Sequence, residues 1–112
     1  MALEQLMIVA VGGTIDKTYG VGAGVRDLAF AQEPVVTTLL RKVQSMTDYT
    51  VVRLAAKDSL DMTDEDRQTI VAFCSAVPHR RILITHGTDT MDKTSAAIAE
   101  QKMPKTVVLT GA

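Results

Sequence analysis

One cysteine, no tryptophan and only four other aromatic side chains, two tyrosines and two phenylalanines, occur in the 112 residues. Cys74 alone closes no internal disulfide. Nothing therefore points to an oxidising compartment, and the residue reads as a small buried hydrophobe. Aromatics at 4% leave no platform for stacking bases. Charge of one sign is lacking too: twelve Lys and Arg against thirteen Asp and Glu give a net charge of −1, with no basic block. That removes the electrostatic case for nucleic acid or an anionic membrane surface as partner. No apolar run approaches the ~20 residues of a membrane span. The start, MALEQLMIVAV, has no cationic segment and carries Glu4. It reads as a first strand rather than a signal peptide, and the expected location is the cytoplasm. The two histidines, His79 and His86, stand apart, so a metal cluster has no support, and the acidic TDED run reads as a helix start.

What remains is 46% apolar and 22% charged, the make-up of one small soluble domain over residues 1–112. Four apolar runs read as strands buried on both faces: LMIVAV (6–11), YTVVRLA (49–55), RILIT (81–85) and TVVLT (106–110). Helical patterns alternate with the last three, and the three prolines punctuate them. Pro34 opens the first helix, whose apolar face is Val36, Leu39, Leu40, Val43 and Met46. Thr63 and Asp66 form a capping box for the second, with Ile70, Val71, Cys74 and Val77 as its stripe and Pro78 as its end. The third spans about residues 90–102, with Pro104 beyond it. Alternation of this kind implies right-handed crossovers and an α/β fold: a parallel sheet with helices on both faces, Rossmann- or flavodoxin-like. The stop directly after the fourth strand is what a fragment of a somewhat longer protein would show. Residues 12–33 are too long for an ordinary strand-to-helix connection, so a lid or binding loop is expected there.

In open parallel sheets, ligands sit beyond the carboxyl ends of the strands. Here those ends carry Gly12-Gly13-Thr14, Lys57-Asp58-Ser59 and His86-Gly87-Thr88-Asp89-Thr90. Three loops bearing hydroxyls and carboxylates at one edge make a candidate site. The first loop is no P-loop, because Asp16 and not glycine precedes Lys17-Thr18. Gly20, Gly22 and Gly24 lie too far past the strand for a dinucleotide fingerprint. Two readings of Thr14 remain. It is a nucleophile bared by the glycine pair, awaiting a base to take its proton, or a residue that caps a turn. Tyr19, five residues on, is the candidate to assist the first. His86, between a strand and a glycine, reads as a turn residue with a satisfied hydrogen bond.

VGGTID (11–16), KDSLDMTDEDR (57–67), THGTDTM (85–91) followed by Thr94, and VVLTGA (107–112) together resemble the bacterial-type L-asparaginases, in that family's order and spacing. The Asp16-Lys17 and Asp58-Ser59-Leu60 variants look most like its short, single-domain members. The resemblance implies two-step hydrolysis of a side-chain amide without a cofactor. Thr14 matches the nucleophile and Tyr19 the loop tyrosine that hydrogen-bonds to it. Thr88 matches the second threonine, which helps form the oxyanion pocket. Asp89 matches the acid that holds the substrate ammonium, and Ser59 the serine that holds the α-carboxylate. Gly13, Asp58 and Gly87 complete the implied binding residues. The implied partner is a small amino-acid substrate, asparagine or a related amide such as glutamine, and a homo-oligomer is expected.

The chain also departs from the family pattern. Val11 stands where long members have a threonine, and Leu60 where many have a substrate-binding glutamine. No lysine matches the one that pairs with the second threonine and the acid; Lys93, on the third helix, reads as a surface charge. These departures motivate two alternatives: a non-catalytic amino-acid-binding or regulatory module, and a component of an amidotransferase.

Overall fold

A strand enclosed on both faces needs no polar alternation, and β1 (Leu6–Gly12) has none: Met7, Ile8, Val9, Ala10 and Val11 are each at most 5% exposed. The structure, a computed structural model, describes residues 5–19, 28–42 and 48–112. In chain order β1 is followed by β2 (Lys17–Tyr19), β3 (Leu28–Phe30), α1 (Val35–Lys42), β4 (Tyr49–Lys57), α2 (Asp64–Ala76), β5 (Arg81–Thr85), α3 (Met91–Glu100) and β6 (Thr106–Thr110). The main sheet has the order β4-β1-β5-β6, with every pairing parallel.

The chain leaves β1 towards β4, then returns past β1 to β5 and β6. The direction of winding reverses between β1 and β5, which is where an open α/β sheet leaves a crevice at its carboxyl edge. Right-handed crossovers place α1 on one face and α2 with α3 on the other. The core follows suit. Met7, Val9 and Val11 of β1 pack with Ile82 and Ile84 of β5 against Ile70, Val71 and Cys74 of α2 and Ile98 of α3. Ile8 and Ala10, equally buried, point to the opposite face. The α/β arrangement with helices on both faces is therefore the observed fold. No helix among the described residues is long and apolar enough to cross a membrane.

The segment 12–33 differs from a plain loop. Lys17–Tyr19 pairs antiparallel with Leu28–Phe30, in the register Lys17↔Phe30 and Tyr19↔Leu28. Strands of three residues are too short to show a period, so the hairpin leaves no pattern in the sequence. Residues 20–27, with Gly20, Gly22 and Gly24, and residues 43–47, with Val43 and Met46, lie outside the described residues. The root of the hairpin is pinned by Asp16, 2% exposed. Its carboxylate accepts hydrogen bonds from Arg53 Nη2 at 2.8 Å and from the Val35 N–H at 2.9 Å. Arg53 also donates to the carbonyls of Ala31 and, at 3.2 Å, Gln32. One buried ion pair thus ties β4 to the base of the hairpin and to the start of α1.

Both ends of α2 are held. Thr63 Oγ1 accepts from the Asp66 N–H at 3.1 Å, and Asp66 accepts from the Thr63 N–H at 2.9 Å, which completes the capping box. At the other end Lys105 Nζ donates to the carbonyls of Cys74, at 2.6 Å, and of Val77. Burial raises the Cys74 thiol above its ordinary value. Lys57, 2.9 Å from Asp66, and the Thr63 N–H hold the Asp66 carboxyl below its ordinary value. The sign follows: the ionised form is favoured on folding, so the stabilisation is present above the ordinary carboxylate range and fades as pH falls through the lowered folded value. Thr63→Ala should cost about 1 kcal/mol at pH 7, measured by urea unfolding. Asp66→Asn should cost less in acid than at neutral pH; an equal cost at both would contradict this assignment.

Candidate active site

The four strand ends are laced together by backbone. At the end of β1 the chain turns through Gly13 at φ +83°. A Cβ there would lie 2.4 Å from the Gly87 nitrogen and 2.8 Å from the Ala112 oxygen. Only glycine allows the turns after β1 and β5 to approach this closely. The Gly13 N–H donates to the Lys57 carbonyl at 3.0 Å, and the Ile15 N–H to the Ala112 carbonyl at 3.1 Å. Thr14 follows as the first residue of a single 3-10 turn, Thr14–Asp16, and is exposed.

The turn after β4 is fixed against the turn after β5. Two residues of β1 past Ala10↔Arg53 are matched by four of β4, giving Gly12↔Lys57, and this bulge re-aims the chain that leads to Asp58 and Ser59. Ser59 is 2% exposed, and its hydroxyl lies where a Cβ on Gly87 would come within 2.4 Å. Thr90 Oγ1 donates to the Ser59 carbonyl at 2.9 Å instead of capping α3.

Beneath these turns His86 is fully buried. Its Nδ1 lies 2.6 Å from the Gly87 carbonyl and its Nε2 2.8 Å from Thr94 Oγ1. A carbonyl only accepts, so the geometry assigns the hydrogen to Nδ1, and Nε2 accepts from the Thr94 hydroxyl. His86 is thus the satisfied turn residue, and it buttresses the Gly87 loop. Thr94→Val would leave Nε2 buried without a partner and should cost about 1–3 kcal/mol by chemical denaturation. Wild-type stability in this variant would contradict the buttress.

Gly13, Thr14, Asp58, Ser59, Leu60, Gly87, Thr88, Asp89 and Ala112 surround a hollow of about 190 Å³. At ~30 Å³ per water that is room for about six waters. This suits a ligand the size of one amino acid and falls well short of the ~300–1,000 Å³ of pockets for drug-sized ligands. A larger groove of about 450 Å³ runs between α3 and β6, but among the described residues no carboxylate lines it and Ser95 is the only hydroxyl. The small hollow is where the chemistry-bearing groups converge. Seven of the eight candidate residues line it. The Tyr19 backbone lies in β2, and its side chain is outside the described structure. α3 begins at Met91, two residues past Asp89, with its amino end beside the hollow.

Sequence reasoning gave no site role to Lys17. Its Nζ lies 2.8 Å from Asp58 Oδ1 and 3.0 Å from Oδ2, and 5.1 Å from the centre of the Phe30 ring. The ion pair joins the hairpin that follows Thr14 to the Ser59 turn. Forty-one residues separate its partners, too far for any local pattern to announce it.

The family profile described as Asparaginase, N-terminal, matches residues 5–112. The chain belongs to the asparaginase family. Among solved structures it resembles the probable cytoplasmic L-asparaginase from Campylobacter jejuni, with a TM-score of 0.68 and 26% identity over 96% of this chain and 34% of that one. It also resembles the thermostable L-asparaginase from Thermococcus kodakarensis, with a TM-score of 0.76 and 27% identity over 96% of this chain and 33% of that one. For L-asparaginase I from Vibrio cholerae the TM-score is 0.71, with 26% identity over 96% and 34% of the two chains. This asparaginase domain spans about a third of the length of each of these structures. Comparison with curated protein sequences gives no match.

Proposed function

We propose that the intact protein is an amidohydrolase that releases ammonia from L-asparagine or a closely related amide through a threonine acyl-enzyme. The observation that carries this reading is the exposed Thr14 on the rim of a hollow shared with the Ser59 turn and the Thr88-Asp89 turn. Family membership and the likeness to three L-asparaginases support it.

Thr14 Oγ attacks the side-chain amide carbon, and its proton passes, with Tyr19 assisting, to the departing amide nitrogen. The tetrahedral intermediate expels the amide nitrogen as ammonia and leaves an ester on Thr14. Water then attacks the ester, releases the carboxylic acid and restores the hydroxyl. Thr88 and nearby backbone N–H groups stabilise the oxyanion, and the amino end of α3 favours negative charge at the same place. Asp89 binds the substrate ammonium and Ser59 its α-carboxylate.

A second reading, binding without turnover, is favoured by the lining, which among the described residues holds two carboxylates and no cation, and by Leu60, 77% exposed at the rim. Ammonia release from asparagine and glutamine, run beside calorimetric titration with L-aspartate, separates the two. Release of ammonia at a rate well above water supports the hydrolase. Aspartate binding with no release supports the binding module.

A further inference from the structure

The hollow has an electrostatic problem that its own lining does not solve. Among the described residues, Asp58 and Asp89 line it, and no lysine or arginine does. A free amino acid brings an ammonium and a carboxylate, and that carboxylate is assigned to Ser59, the immediate neighbour of Asp58. Two carboxylates side by side repel, screened in part because the Asp58 side chain is 45% exposed, and the ligand binds more weakly unless one is neutralised. Lys17 lies at that position. Its ammonium contacts both oxygens of Asp58, at 2.8 and 3.0 Å, and its side chain is only 18% exposed. The same ammonium lies over the Phe30 ring, 5.1 Å from its centre. With Lys17 in place the local charge falls from two negatives to one, carried by Asp89, the partner for an ammonium.

We propose that Lys17 is the specificity determinant for a free α-carboxylate. By neutralising Asp58 it makes the hollow accept a zwitterionic amino-acid amide and disfavour the same amide with its carboxylate blocked. This rests on the hydrolase reading above and names the substrate class of that site. Lys17 acts through Asp58 and takes no part in bond making or breaking, so its removal changes KM more than kcat.

The test compares L-asparagine with its α-carboxamide, which keeps the ammonium and the side-chain amide but lacks the α-carboxylate. Wild-type protein should prefer asparagine. Lys17→Met should raise KM for asparagine about tenfold or more, with kcat within about twofold, while KM for the α-carboxamide does not rise. Lys17→Arg should keep the wild-type preference. Asp58→Asn in the Lys17→Met background should return KM for asparagine to within about threefold of wild type, because the repulsion is then gone. Should Lys17→Met fail to fold, Asp58→Asn alone reads the same effect: the freed ammonium lowers KM for asparagine and raises it for the α-carboxamide. If wild-type protein hydrolyses asparagine and Lys17→Met has the same KM, the proposal is overturned and the hydrolase stands. The double variant binding as poorly as Lys17→Met also overturns it. If wild-type protein neither binds aspartate nor releases ammonia, the hydrolase reading fails and takes this inference with it.

Discussion

Thr14→Ala should lose several orders of magnitude in ammonia release while leaving the melting temperature nearly unchanged. Both halves follow from where the residue sits. Thr14 is exposed, on the first position of a one-turn helix held by backbone bonds from Ile15 to Ala112 and from Asp16 to Gly13. Its side chain supports none of them, so truncation removes little stability. A nucleophile is different, because no other lining group replaces its covalent role, and the residual rate is what binding and oxyanion contacts supply. Thr14→Ser should keep much of the rate, since the hydroxyl remains. Equal turnover in wild type and Thr14→Ala would remove Thr14 from the chemistry. A fall in melting temperature that matched the fall in rate would make it a structural residue instead.

Arg53→Met should be more destabilising than Thr63→Ala or Thr94→Val. Asp16 is 2% exposed and, among the described residues, has Arg53 as its one charged partner. Removing the guanidinium leaves a buried carboxylate with the Val35 N–H as its remaining described partner, a situation that costs about 3–5 kcal/mol. For a domain whose total stability is of order 5–15 kcal/mol, that approaches global unfolding. The same change frees the carbonyls of Ala31 and Gln32, so the hairpin root and the start of α1 loosen together. Asp16→Asn added to Arg53→Met should recover part of the loss, because an amide is cheaper to bury than an unpaired charge. Urea unfolding of the four proteins gives the comparison directly. A cost for Arg53→Met within about 0.5 kcal/mol of zero, the range of ordinary surface changes, would show that the pair pins nothing.

Much of the architecture could be read from the chain because each part of it is signalled locally. Strand β1 is buried on both faces, so an unbroken apolar run announces it. The capping box at Thr63 and Asp66 marks the start of α2 to the residue. Once the strands are placed, parallel topology alone brings Thr14, Ser59 and Thr88-Asp89 to one edge, and the structure gathers them round one hollow. The features that escaped are those fixed by contacts between distant residues. β2 and β3 are three residues each, and eight residues of chain separate the strands that pair Lys17 with Phe30 and Tyr19 with Leu28. The Asp16–Arg53 and Lys17–Asp58 pairs join positions 37 and 41 residues apart. A sequence read element by element shows four charges there and nothing about which meets which. The bulge that shifts β4 from Ala10↔Arg53 to Gly12↔Lys57 is equally silent, since YTVVRLAAK reads as a regular strand throughout.

The claim that Thr14 carries the acyl group is tested most directly by quenching the protein in acid during turnover of L-asparagine and mapping the peptides by mass. The account predicts an added β-aspartyl group on the peptide that contains Thr14, absent when L-aspartate replaces asparagine and absent in Thr14→Ala. The same group found on Thr88, or ammonia released at full rate with no acylated peptide at any quench time, would contradict it.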